Sequence, residues 1–220
     1  MTASDQIYFE PWDVNRRLAD LGLNRKIVTD AVQRGFAAWA ACTANHPVSF
    51  PGLAGWAETV CALGDFLAPL GWSRIDETGQ PLVINSKRTL ALTVATGDEN
   101  TGLRSNVDPC TRSSKGPRTV QAVQRNAWLF PEMEQDEIAS RESQERDTWL
   151  LLMHRDLGAQ EVRCELSRPI SIDQEGHIDQ WSERIILEPT SFDGYDQTRG
   201  LSGTDEAQTG EIVVEIKRRA

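Results

Sequence analysis

Apolar positions recur three and four residues apart through the first third of the chain and then give way to alternation, so helices should come first and strands after them. In "WDVNRRLADLGLN", Val14, Leu18 and Leu21 share one helical face, and Gly22 stands near the end as a stop. Asn24 is placed to cap a second helix with a stripe through Ile27, Val28, Ala31, Val32, Gly35, Phe36 and Trp39. "NHPVSFPG" breaks that helix. A third begins near Leu53 and carries Trp56, Val60, Leu63, Gly64 and Leu67 on one side. The short link makes the second and third helices antiparallel neighbours, with the stripe through Trp39 buried against Trp56, Val60 and Leu67.

After Trp72 the period shortens. "RTLALTVAT", residues 88–96, reads as a strand with Leu90, Leu92 and Val94 on one face. "TVQAVQRNAWLF" reads as a short helix capped by Thr119, and residues 132–147 as a charged, solvated helix. "TWLLLMH", "EVRCEL" and "HIDQWSERIILEP", separated by the turns "DLGAQ" and "SIDQEGH", form an antiparallel meander, and "EIVVEIKRRA" a last strand. In "EVRCEL", Val162, Cys164 and Leu166 face one side and the charges the other. The expected fold is α+β. N-terminal helices pack on a mostly antiparallel sheet of about five strands with long polar loops. One domain spans residues 1–220, helical over 1–72 and sheet-forming over 73–220.

Composition narrows the function. A hydrophobic fraction of 39% and seven tryptophans suffice for a sizeable core, while the net charge of −10 argues against general nucleic-acid binding. No apolar run approaches the length that crosses a membrane. "MTASDQIYFEPWD" has neither the basic start nor the apolar core of a secretory signal, so a cytoplasmic location is expected. Cys42, Cys61, Cys110 and Cys164 lack metal-ligand spacing, and His46, His154 and His177 do not cluster in sequence, so no metal is expected and the thiols are free.

Charge is uneven along the chain. Arg104, Arg112, Lys115, Arg118 and Arg125 stand against Asp108 alone between residues 104 and 125, whereas 131–147 and 173–206 are strongly acidic. The basic island overlaps the polar stretch 97–119, where "SSKGPRT" precedes "VQAVQRN" with the ingredients of an anion cradle at a helix start: Arg112, Lys115, Arg118 and Thr119. The spacing is not that of a P-loop. Four readings of the stretch stay open: a phosphate or nucleotide site, a protein-docking arm, a flexible connector, or bases neutralised by the chain's own acids. Arg112 and Lys115 would favour the Cys110 thiolate. The leading expectation is a binding or interaction protein without a cofactor. It would use 97–119 and its surroundings on a protein partner or a phosphate-bearing small ligand.

The segment "FDGYDQTRGLSGTDEAQTGEIVVEIKRR" resembles the core signature of restriction-endonuclease-like nucleases, in which an acid precedes a strand carrying an acid, one spacer residue and a lysine. The resemblance covers about 28 residues. It implies Asp193 or Asp196 as the first acid, with Glu215 and Lys217 on one side of a strand. The acids would hold Mg²⁺ and the lysine would orient the attacking water. The alternative expectation is therefore a metal-dependent nuclease. Against it stands the same strand read as an edge strand whose alternating charges prevent edge-to-edge pairing.

Overall fold

The computed structural model describes residues 6–77, 79–127 and 146–191. Three helices lead, α1 (Pro11–Asp20), α2 (Arg25–Ala40) and α3 (Phe50–Leu67), and α4 (Pro117–Ala127) follows later. The strands are β1 (Gln6–Tyr8), β2 (Ser73–Glu77), β3 (Gln80–Ile84), β4 (Leu90–Thr96), β5 (Asp147–Asp156), β6 (Glu161–Ile172), β7 (Ile178–Ile186) and β8 (Thr190–Ser191). They form one sheet in the order β1-β7-β6-β5-β4-β3-β2, with β8 paired to β6.

The leading helices form where the spacing places them. The Asn24 side chain accepts the Ile27 N–H at 2.9 Å, satisfying one of the amides that α2 leaves open. Val14, Leu18, Val28, Ala31, Val32, Val60, Leu63 and Leu67 pack on one face of the sheet against Leu90, Leu92, Val94, Trp149, Leu151 and Leu166. Helices α2 and α3 touch through glycines. A Cβ on Gly35 would lie 1.9 Å from Thr59 Oγ1 and 2.6 Å from the Gly55 carbonyl. That close approach leaves the end of the stripe nearer the surface. Trp39 is half-buried, set beside Phe36 and under the Arg155 guanidinium, where burial had been expected.

The sheet differs from the expected antiparallel array of about five strands: among the described residues it has eight, and it is mixed. The β1–β7 and β4–β5 pairs are parallel. Strands β1 and β8, three and two residues long, are too short to show a period. The β2–β3 hairpin was hidden by a charged outer strand, "SRIDE", and by Pro81. The parallel β4–β5 pair exists because the chain crosses over the sheet between them, through residues 97–116 and α4. Strand β5 is covered on both faces, Trp149, Leu151 and Met153 facing the leading helices and Leu150 and Leu152 the second layer, so its sequence is a continuous apolar run.

Helix α4 begins at Pro117, and its Val120 N–H bonds the Gly116 carbonyl. Thr119 therefore lies inside the first turn, not at the cap where the sequence placed it. Asn126, also on α4, fastens the helix to the sheet. Its amide donates to the Thr148 and Pro169 carbonyls at 2.7 and 3.1 Å and accepts the Thr148 N–H at 3.1 Å. The expected charged helix over 132–147 falls almost wholly outside the described residues, and the expected last strand lies outside them entirely.

Candidate functional site

Residues 97–116 lie down on the second face of the sheet as a strap. Gly97 N–H bonds the Met153 carbonyl as the chain leaves β4. On its return, Asp98 N–H bonds the Cys110 carbonyl at 2.9 Å and Arg112 N–H bonds the Thr96 carbonyl at 3.0 Å. Thr111 N–H also reaches the Ile178 carbonyl at 3.0 Å, and Lys115 N–H the Gly176 carbonyl at 2.7 Å. The strap thus ties the end of β4 to the start of β7 across β5 and β6. Trp181 adds an indole N–H bond to the Pro109 carbonyl at 2.8 Å. A stretch so poor in apolar residues stays down because its backbone groups are paired with the sheet's.

Beneath the strap is a buried charge cluster. Glu165 on β6 and Arg184 on β7 are both fully buried. Arg184 grips Glu165 with two bonds, Nε to Oε1 at 3.0 Å and Nη2 to Oε2 at 2.7 Å. The remaining groups of the pair hold the strap. Gly102 N–H donates to Glu165 Oε2 at 2.8 Å, and Arg184 donates to the Leu103 carbonyl and to Asp108, each at 3.2 Å. Gly102 has φ +72°, and a Cβ there would lie 2.8 Å from Arg163 Cβ, so only glycine brings its amide to the carboxylate unstrained.

The outer side of the strap is different in kind. Leu103 and Val107 are 39% and 58% exposed, and Arg104 lies over the Phe9 ring at 3.8 Å. Trp12, three residues after Phe9, is 77% exposed. Leu103, Val107 and the Arg104–Phe9 contact thus give the strap an apolar rim beside the residue that follows β1, the edge strand. Farther along the strap, α4 leaves a groove of about 470 Å³ whose lining includes Val120, Val123, Gln124, Ile172 and Asp173.

The expected ligand residues Arg112, Lys115 and Thr119 differ in exposure. Arg112 is exposed and contributes its charge toward His154, whereas Lys115 is half-buried and has the Cys110 thiol as its titrating neighbour. Burial pulls the Lys115 ammonium down from 10.5 to about 8. Thr119 is half-buried on α4, and the Arg118 side chain lies outside what is described. The Cys110 expectation is reversed. Burial first, then Asp98, Asp173 and Asp179, push its thiol up to about 11, and Lys115 opposes them only in part. Asp179 is itself raised, by burial and then by Asp173, and its Oδ1 is buried without a partner among the described residues.

Glu165, Arg184 and Asp108 were not found from sequence. In "EVRCEL" the charges alternate with apolar residues, the pattern of a sheet with one solvated face, and in "SERII" two charges stand side by side, so nothing local reveals that a strap covers them. Among the described residues no group of three or more His, Cys, Asp or Glu side chains is set to hold a metal, and no helix is long and apolar enough to cross a membrane. Asp193, Asp196, Glu215 and Lys217 lie outside the described residues.

Fold and site together define an α+β protein with a mixed eight-stranded sheet, leading helices on one face and a charge-anchored strap on the other. No family model matches the chain, and neither the curated proteins nor the solved structures hold a match to it.

Proposed function

We propose that this is a binding protein whose contact surface is the outer side of the strap with the rim beside it, and whose partner is another protein. One observation carries the reading: Leu103 and Val107 stay exposed on a segment that is anchored from below by Arg184 and Glu165. Ordering a polar segment costs about 1–2 kcal/mol per residue in backbone entropy. A strap that served only to cover the sheet would turn its large apolar side chains inward. Turned outward on the segment whose Arg104 lies over the Phe9 ring, they give the aromatic, arginine and aliphatic mixture that recurs at the centres of protein interfaces. Preorganisation lowers the ordering cost that binding would otherwise meet.

The test uses the full chain as bait in an extract of its native cells, followed by reconstitution with each purified candidate. A Leu103→Asp, Val107→Asp double variant should lose its partner at least about tenfold, as expected when hot-spot side chains are replaced by charge. Leu70→Asp, a control at a residue 53% exposed just ahead of β2 on the opposite edge, should retain it. Equal capture by wild type and the double variant would end the reading. No observation among the described residues favours the nuclease alternative, which rests on residues 193–217 alone.

A further inference from the structure

The sheet ends differently at its two edges. The outer strand β2, "SRIDE", carries Arg74, Asp76 and Glu77, the kind of charge that keeps an exposed edge from pairing with another chain. At the other edge β1, "QIY", and Phe9 after it hold no charge. Strand β1 pairs with β7 alone, so among the described residues the backbone groups along its outer side have no sheet partner. The register fixes what each β1 side chain faces. Tyr8 lies beside Ile185 and packs on the core under the leading helices. Ile7, next in the strand, therefore points to the other face, beside Arg184. That arginine holds the Leu103 carbonyl and Asp108. Phe9 carries the alternation on, under the Arg104 guanidinium at 3.8 Å. The part of the strap that exposes Leu103 and Val107 is thus anchored one strand in from the uncharged edge. Arg104 is exposed and, among the described residues, has the Phe9 ring and no carboxylate as its partner.

We propose that the protein partner is held as an extended segment, which adds a strand to the sheet along the outer side of β1. Its backbone pairs with the open groups of β1, and every second side chain lies on the strap side of the sheet. There Ile7, Leu103 and Val107 suit apolar residues, and Arg104 suits an acidic one. The inference rests on the strap and its rim being the contact surface and adds how the partner is gripped. Backbone pairing supplies affinity whatever the sequence, and the rim supplies the choice. A helix laid on the same rim would leave the outer groups of β1 unpaired, and the charge that guards β2 is missing where the strand would add.

Random linear peptides displayed on phage and selected against the full chain are the probe. Enriched peptides should carry apolar residues at every second position with an acid among them. They should bind the Leu103→Asp, Val107→Asp variant at least about tenfold more weakly than the wild type. N-methylation of a selected peptide then reads the strand itself, on the wild-type chain alone. Successive N–H groups of a strand point to opposite sides. Methylating alternate amides in one phase should therefore weaken binding about fivefold for each bond lost, and in the other phase should leave it unchanged. The proposal is overturned by the absence of any enriched peptide, by apolar residues spaced three and four apart, by equal binding to the variant, or by losses in both phases or in neither. An edge already held by a second copy or by another part of the chain gives the first of these results. Loss of a native partner by the Leu103→Asp, Val107→Asp variant, with no strand-type peptide found, would leave the contact surface standing and remove only the strand addition.

Discussion

Arg184 and Glu165 meet on neighbouring strands by two parallel hydrogen bonds, with neither side chain exposed to solvent. Every donor and acceptor around the pair comes from the sheet or the strap. Ser167 donates its hydroxyl to Glu165 Oε1 at 2.7 Å, and Gly102, Leu103 and Asp108 supply the rest. A buried ion pair of this kind adds little net stability over an apolar pair of the same shape, but removing one member leaves a charge without compensation.

Glu165→Ala should therefore cost about 3–5 kcal/mol in urea melts. The Glu165→Leu, Arg184→Leu double variant should cost less than the single change. The single variant should also expose the strap to trypsin at Arg112 and Lys115. In the wild type both are shielded by the backbone bonds to Thr96 and Gly176. A double variant less stable than the single one would show that the pair supports more than itself.

Gly35→Ala tests the crossing of α2 and α3. Alanine is the better helix former by about 1 kcal/mol, yet the new methyl would meet Thr59 Oγ1 at 1.9 Å and the Gly55 carbonyl at 2.6 Å. Thr59 cannot turn away freely, because its hydroxyl is bonded to that same carbonyl at 2.8 Å. The net result should be a loss of about 1–3 kcal/mol, the usual cost of overpacking. An unchanged or raised melting temperature would place the helices farther apart.

Lys115→Met should stabilise the protein at neutral pH. The ammonium is held near 8 against its ordinary 10.5, so the folded chain gives up this proton more readily than the unfolded one. Wild-type stability should consequently rise between pH 8 and 10.5, where the unfolded chain still keeps the proton. At about 1.4 kcal/mol per pH unit, the gain from methionine at pH 7 is up to about 3 kcal/mol. Melts at pH 7 and pH 10 would check this, since the gain should shrink at the higher pH. A loss of stability at pH 7 would mean that the ammonium has a partner.

Cys110 should be a sluggish thiol. With its thiolate near 11, about a thousandth of it is ionised at pH 8. Alkylation followed by peptide mass spectrometry should show Cys110 reacting much more slowly than a free thiol standard at pH 8, with the rate climbing about tenfold per pH unit toward 10. Labelling at the standard's rate would contradict the burial and the acidic neighbours assigned to it.

Local chemistry by itself determined the helices, the N-cap at Asn24 and the three strands of the meander. Their signals, a repeat of 3.6 or 2 residues and a side chain reaching its own backbone, lie within a few residues of each other. Only the tertiary structure decided what covers the sheet's second face. Glu165 and Arg163 carry the same alternation whether water or a strap lies above them, and the strap's hold on Arg184 spans 76 residues at Asp108 and 81 at Leu103. Sequence likewise showed a cysteine among cations at Cys110, whereas the fold first buries it and then brings Asp98, Asp173 and Asp179 to it, which together reverse the sign. Charges act through space, so the ones that set a titration are those the chain's path brings near, not those adjacent in sequence.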